Sequence, residues 1–180
     1  SLHDALPIAG HAVLAYEGAL AGCRTLPEAF AHPAIRNRLK SLLGLAVEVL
    51  SRDFGMDRPS LRQHVEELLA FRLPNPEMAD RVDRVARDPL RKLGPAERLV
   101  GLLRHVERAG LPPDAVCRTI AAALHYHDPA DAASQRMHEM IRAGGPQRVL
   151  SEVCGLRPDE PSLQLCLEHY ARIPPRKENP

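Results

Sequence analysis

Tryptophan is absent from the 180 residues, and tyrosine and phenylalanine occur three times each. With aromatics at 3%, the chain has no surface on which successive bases could stack and no supply of aromatic strand residues for a sandwich. An excess of one charge is missing too. The 24 Lys+Arg against 23 Asp+Glu leave a net +1, so no overall field draws the chain to nucleic acid or an anionic membrane. Apolar runs stay well short of the roughly 20 residues that cross a bilayer, and the first ten residues lack the basic start and apolar stretch of a signal peptide. These absences predict a cytoplasmic protein with neither a membrane nor a nucleic-acid partner. The four cysteines, Cys23, Cys117, Cys154 and Cys166, form no C-x-x-C pair, which predicts reduced, buried thiols and no metal site.

What remains is rich in alanine and leucine, and its pattern is helical almost throughout, with proline and glycine as punctuation. Residues 10–21 are mostly small and suit close packing against a neighbour. After His32-Pro33, apolar Ile35, Leu39, Leu42, Leu43, Ala46, Val47 and Leu50 recur at spacings of three and four, and Gly55 ends that helix. Ser60 with Gln63 reads as a capping box for a helix over 61–71. Leu73-Pro74-Asn75-Pro76 breaks the pattern. A charged stretch over 80–92 follows, then helices over 95–109, 113–125, 130–143, 146–153 and 160–173, and a loose tail over 174–180. No long period-2 run and no fixed-length repeat appears, so the expected fold is an all-α orthogonal bundle.

The densest chemistry lies in residues 83–93, where Arg84, Arg87, Arg91 and Lys92 surround Pro89. Arg84 and Arg87 one turn apart, with Arg91 and Lys92 returning after the proline, would grip a small anion or polyhydroxyl ligand from two sides. The competing description is a solvated charge run interleaved with Asp80, Asp83 and Asp88. His125 and His127 stand two apart and share no helix face, so a helix C-terminus favoured by its dipole describes them better than a metal pair. His11, among small apolar residues, reads on spacing alone as a structural histidine. Gly144-Gly145-Pro146 lacks the strand, lysine and hydroxyl of a phosphate loop, and no G-x-G-x-x-G follows a strand anywhere.

The first eight residues, SLHDALPI, back-translate to TCC CTA CAC GAC GCT CTT CCG ATC, which is part of a common sequencing-library adapter. Residues 1–8 are therefore expected to be an artefact, with native sequence starting near Ala9 and the domain occupying 9–173.

Gly10-His11-Ala12, Ala15-Tyr16 and Gly18, then Gly22, Thr25 and Glu28-Ala29, then Asn75-Pro76, then Arg84-Val85, Arg87 and Pro89 through Leu93, and finally Ile120 through His125 occur in one order. Over about 10–156 the chain thereby resembles the C-terminal domain of the mannitol-1-phosphate 5-dehydrogenases, among the polyol-specific long-chain dehydrogenases. The resemblance implies a fragment of an enzyme of mannitol metabolism that interconverts D-mannitol 1-phosphate and D-fructose 6-phosphate. NAD would be bound by a missing N-terminal Rossmann domain, a partner in cis, with no cofactor or metal in this chain. The alternatives are a mannitol 2-dehydrogenase or hexuronate reductase relative, or a helical interaction module whose basic cluster binds an acidic partner. The family's catalytic signature is a lysine, four residues, an asparagine, two residues and a histidine. Only His11 matches it, and the lysine and asparagine positions fall on His3 and Ile8. By the same resemblance Arg84 and Lys92 correspond to polyol-contacting residues. A phosphorylated substrate would give Arg87 and Arg91 a purpose as well. The resemblance further predicts that loss of the partner domain exposes Ala12, Val13 and Leu14.

Overall fold

A helix that is apolar on every side has to be enclosed, and the first helix, α1 (Ala5–Leu20), is one. The structure, a computed structural model, describes residues 4–78 and 80–174. Within it α1 packs against α2 (Leu26–Ala31), α3 (Pro33–Phe54), α5 (Val82–Ala86), α7 (Arg98–Arg108) and α8 (Asp114–Leu124). Small residues make this central position sterically feasible. A Cβ on Gly18 would stand 2.8 Å from the Ala29 Cβ, and one on Gly10 would stand 3.3 Å from Leu39 Cδ1, so α2 and α3 approach α1 at backbone range.

The apolar set read from 35–50 is buried along α3, whose end is set by Gly55 at φ 65 with its N–H on the Leu50 carbonyl. Further along, α9 (Ala132–Gly144), α10 (Pro146–Glu152) and α11 (Pro161–Arg172) close the bundle, α10 on α9 and α11 on α8. Among the described residues there is no sheet, only a single antiparallel bridge between Thr25 and Arg81. No helix there is long and apolar enough to cross a membrane.

Several details differ from the sequence reading. The fourth helix, α4 (Arg58–Glu67), starts before Ser60, because the Asp57 carboxylate accepts both the Ser60 N–H at 2.9 Å and its hydroxyl at 2.6 Å and so caps the helix itself. It then widens into a π turn, Leu68–Arg72, that leaves Phe71 75% exposed. Three thiols are buried as expected, but Cys23 is only partly covered. Burial pushes the Cys154 thiol up to about 12. Val13 and Leu14 face the core and are fully buried, so their expected exposure is not seen, while Ala12 is partly covered; among the described residues the large exposed apolar side chains are Ile8, Phe54 and Phe71. Helix α1 also begins at Ala5 rather than Gly10, with Leu6 in the core. The tail beyond Pro174 lies outside the described residues.

Candidate functional site

The charged stretch 80–92 is a strap pinned to the bundle at four points. Leu26 N–H donates to the Asp80 carbonyl at 3.0 Å and Val82 N–H to the Arg24 carbonyl at 2.9 Å. The short α5 then stops at Ala86, because Arg87 turns extended (ψ 159) ahead of Asp88-Pro89, and Pro89 has no N–H to continue the ladder. The stop orphans the last carbonyls of α5. Two side chains satisfy them: the buried Tyr16 hydroxyl donates to the Ala86 carbonyl at 3.1 Å, and the Lys92 ammonium donates to the Val85 carbonyl. Asp88 takes the left-handed conformation (φ 58), and its N–H donates to Asp131 Oδ2 at 2.7 Å, the carboxylate that also caps α9. Helix α6 (Pro89–Lys92) follows directly, so the sharp corner aims Arg91 and Lys92 back toward α1.

Together these elements enclose a cavity of about 320 Å³ lined by Ile8, His11 and Tyr16 from α1, Arg91 and Lys92 from α6, and Arg98 from the start of α7. His11 is half-buried. Burial lowers its pKa, Asp80 opposes that shift, and Arg72 adds to it. The ring is therefore largely neutral near pH 7, with one nitrogen free to accept and the other to donate. Lys92 is also held below its ordinary value, by burial first and by the neighbouring Arg91 next. Arg91 donates to Asp88 Oδ2 at 2.9 Å and lies 3.9 Å from Glu97.

The structure thus joins His11, Arg91 and Lys92, but not all four cations. Arg84 is 73% exposed and lies 3.9 Å from Asp80 Oδ1, outside the cavity lining. Arg87 is exposed and also outside it, although its charge reaches Lys92. The common face expected for Arg84 and Arg87 does not form, because α5 ends between them. Ile8, at the position that the resemblance assigns to an asparagine, lines the cavity one turn before His11; His3 lies outside the described residues. Tyr16, Asp131 and Arg98 were not legible as site residues, since none lies in the 83–93 cluster and each arrives through tertiary packing; Asp88 was visible there only as an interleaved acid.

Other candidates are drawn elsewhere. His125 stacks on Tyr170 with ring centroids 3.9 Å apart, whereas His127 stacks on His138 at 4.2 Å, so the two histidines serve different helices. No group of three or more metal-ligating side chains is assembled among the described residues.

The lowered His11 pKa has a consequence for stability. The unfolded chain binds this proton more readily than the folded one, so the contribution of His11 is present above its ordinary value of 6.5 and is lost as pH falls through the folded value. His125 acts in the same direction, with burial outweighing its hydrogen bond to Tyr170. Urea midpoints should therefore fall between about pH 7 and about pH 5, and His11→Gln should flatten part of that slope. An unchanged slope in the variant would assign the acid sensitivity to other groups.

The family model described as the mannitol dehydrogenase C-terminal domain matches residues 8–155. A mannitol-1-phosphate 5-dehydrogenase of Bacillus subtilis is 38% identical over 159 residues, covering 88% of this chain and 41% of that protein. Its counterpart from Shouchella clausii is 33% identical over 156 residues, covering 87% and 41%. The chain thus spans about two fifths of the length of these curated relatives. The helical arrangement is similar to that in a Pseudomonas fluorescens mannitol 2-dehydrogenase solved as a ternary complex with NAD and D-mannitol, with a TM-score of 0.75 at 21% identity over 94% of this chain and 37% of that one. From the pinned strap, the helical bundle and the family match together, the chain belongs to the mannitol dehydrogenase C-terminal domain family.

Proposed function

We propose that this chain is the C-terminal, substrate-side portion of a cytoplasmic NAD-dependent oxidoreductase that interconverts D-mannitol 1-phosphate and D-fructose 6-phosphate. The observation that carries the reading is the meeting of His11, Arg91 and Lys92 around one cavity, in a chain similar over most of its length to mannitol-1-phosphate 5-dehydrogenases. Among the described residues there is no parallel sheet with a glycine-rich turn to cradle a dinucleotide, so NAD is assigned to an N-terminal domain outside this chain. That cofactor, when bound, takes or gives the hydride.

This chain's own residues do the rest. A neutral His11 donates a hydrogen bond to the oxygen on the reacting carbon, stabilising the negative charge that builds there as its proton leaves. Lys92, tethered to the Val85 carbonyl, adds a positive charge in the same cavity, and Arg91 is held at its rim by Asp88. The proton acceptor belongs at position 3, eight residues before His11, where this sequence has a histidine. Residues 1–8 are proposed to be adapter-derived, with native sequence from about Ala9.

The test is to join the chain in frame to its upstream NAD-binding region, with His3→Lys and Ile8→Asn restoring the signature, and to measure NADH-dependent reduction of fructose 6-phosphate. Turnover is expected, with fructose and mannitol poorer substrates. In that enzyme Lys92→Ala should lower kcat/KM by about tenfold to a hundredfold, the loss of one charge-assisted contact, with KM for NADH unchanged. Arg84→Ala should cost less, because Arg84 faces Asp80 and not the cavity. Full efficiency in the Lys92 variant would return the cluster to a solvated face.

A further inference from the structure

Three cations border the His11 cavity, and two of them are engaged. Lys92 donates to the Val85 carbonyl, and Arg91 is held by Asp88 at 2.9 Å with Glu97 at 3.9 Å. Arg98 differs. It is exposed at the first position of α7, lines the cavity, and makes no hydrogen bond or ion pair among the described residues. It also borders the neighbouring cavity of about 390 Å³ beside Ala5 and Ala9, so its guanidinium stands at the open rim while half-buried His11 stands further in.

The substrate has the same polarity. In fructose 6-phosphate the carbonyl to be reduced and the phosphate sit toward opposite ends of the carbon chain. With the carbonyl oxygen at His11, the phosphate is carried toward the rim. A guanidinium without a partner presents its donors in a fork that matches two phosphate oxygens, and it sacrifices no existing contact to do so. Arg91, Lys92 and Arg98 against Glu97 and Asp88 leave one net positive charge for the incoming dianion.

We propose that Arg98 is the residue that selects a phosphorylated substrate, its guanidinium taking the phosphate of the sugar phosphate whose reacting carbon lies at His11. This rests on the sugar-phosphate reading of the cavity given above. The cofactor's pyrophosphate is the other source of the same chemistry at an exposed rim, and the experiment separates the two.

The 180-residue chain is titrated with D-mannitol 1-phosphate, D-mannitol, inorganic phosphate and NAD in separate arms, following the ring-proton resonances of His11 by NMR. D-Mannitol 1-phosphate is expected to shift them at millimolar concentration. Arg98→Gln should weaken that response by about tenfold or more while leaving the response to D-mannitol unchanged, and Arg98→Lys should recover part of the loss. Because Arg98 has no partner to lose among the described residues, circular dichroism should be the same for all three proteins. Equal binding of D-mannitol 1-phosphate by parent and Arg98→Gln would overturn the assignment while leaving the cavity a sugar-phosphate site. A change confined to the NAD arm would also overturn it, in favour of a cofactor contact. No response of the parent chain to D-mannitol 1-phosphate would overturn the reading of the cavity, and this assignment with it.

Discussion

Purified by itself, the 180-residue chain is expected to leave NADH and fructose 6-phosphate unreacted, and activity should return in two separable steps. The first is the cofactor domain. Joined to an upstream NAD-binding region but with His3 and Ile8 as they stand, the chain should bind NADH yet turn over slowly, because on the proposed reading positions 3 and 8 then carry neither the proton acceptor nor the oxyanion partner. The second is the signature itself. Ile8 lines the cavity one helical turn before His11, so an asparagine there would face the same space, and a lysine at position 3 would supply the proposed base. Positioned acid–base catalysis contributes about 10²- to 10⁴-fold, so His3→Lys with Ile8→Asn should raise kcat by that order with little change in KM for NADH. Single-turnover and steady-state rates on the three proteins check it. Equal rates with and without the two substitutions would remove position 3 from the chemistry, and turnover by the chain alone would remove the need for a second domain.

The second large effect concerns the interior. Glu17 lies on α1 six residues after His11 and is 2% exposed, yet it is a carboxylate in a mostly apolar core. Arg118 from α8 holds it with Nε at 2.8 Å and Nη2 at 3.1 Å, and Arg38 from α3 adds a third contact at 3.1 Å. Removing one partner of a buried pair strands the other charge, which costs about 3–5 kcal/mol. Arg118→Met is expected to lose about that much by urea unfolding, because Arg38 alone, more exposed, is a poor substitute. Adding Glu17→Gln to Arg118→Met should recover part of the loss, since the stranded charge is then gone. A loss in Arg118→Met below about 1 kcal/mol would show that Arg38 suffices.

How much of this was legible depended on whether local pattern or distant packing decides. Helices α3, α8, α10 and α11 appear within two residues of their expected bounds, because proline at the start, a glycine or proline after the end and an apolar stripe all agree in one short window. The stretch 80–92 was legible only as composition. Its cations were visible, but where Arg84 points depends on α5 ending at Ala86, and that end is completed by Tyr16 from a helix 70 residues away in sequence. The Glu17 cluster was invisible for the same reason: its two arginines come from α3 and α8, 21 and 101 residues along. Asp57 displaced Ser60 as the α4 cap because its carboxylate reaches the Ser60 N–H across the first turn, a contact that the Ser-x-x-Gln pattern does not register. The resemblance supplied His11, which no spacing rule marked as more than a structural histidine.

The strap from Asp80 to Lys92 also bears on how such a domain can change. Its two helices have five and four residues, it seats Val82 and Ala86 in the core and leads into buried Leu93, and beside those seats it is tied by single hydrogen bonds to Arg24, Leu26, Tyr16 and Asp131. A change of length at Arg87-Asp88, the corner that contributes no core side chain, would re-aim Arg91 and Lys92 over His11 while Val82 and Ala86 stayed seated on α1. A substitution along α1 has no such freedom, since Gly18, Tyr16 and Glu17 each answer to a different neighbour. The cavity therefore takes its histidine from a helix that the core holds fixed and two of its cations from beyond a corner that can change length, so its charge can shift at less cost in packing than its floor.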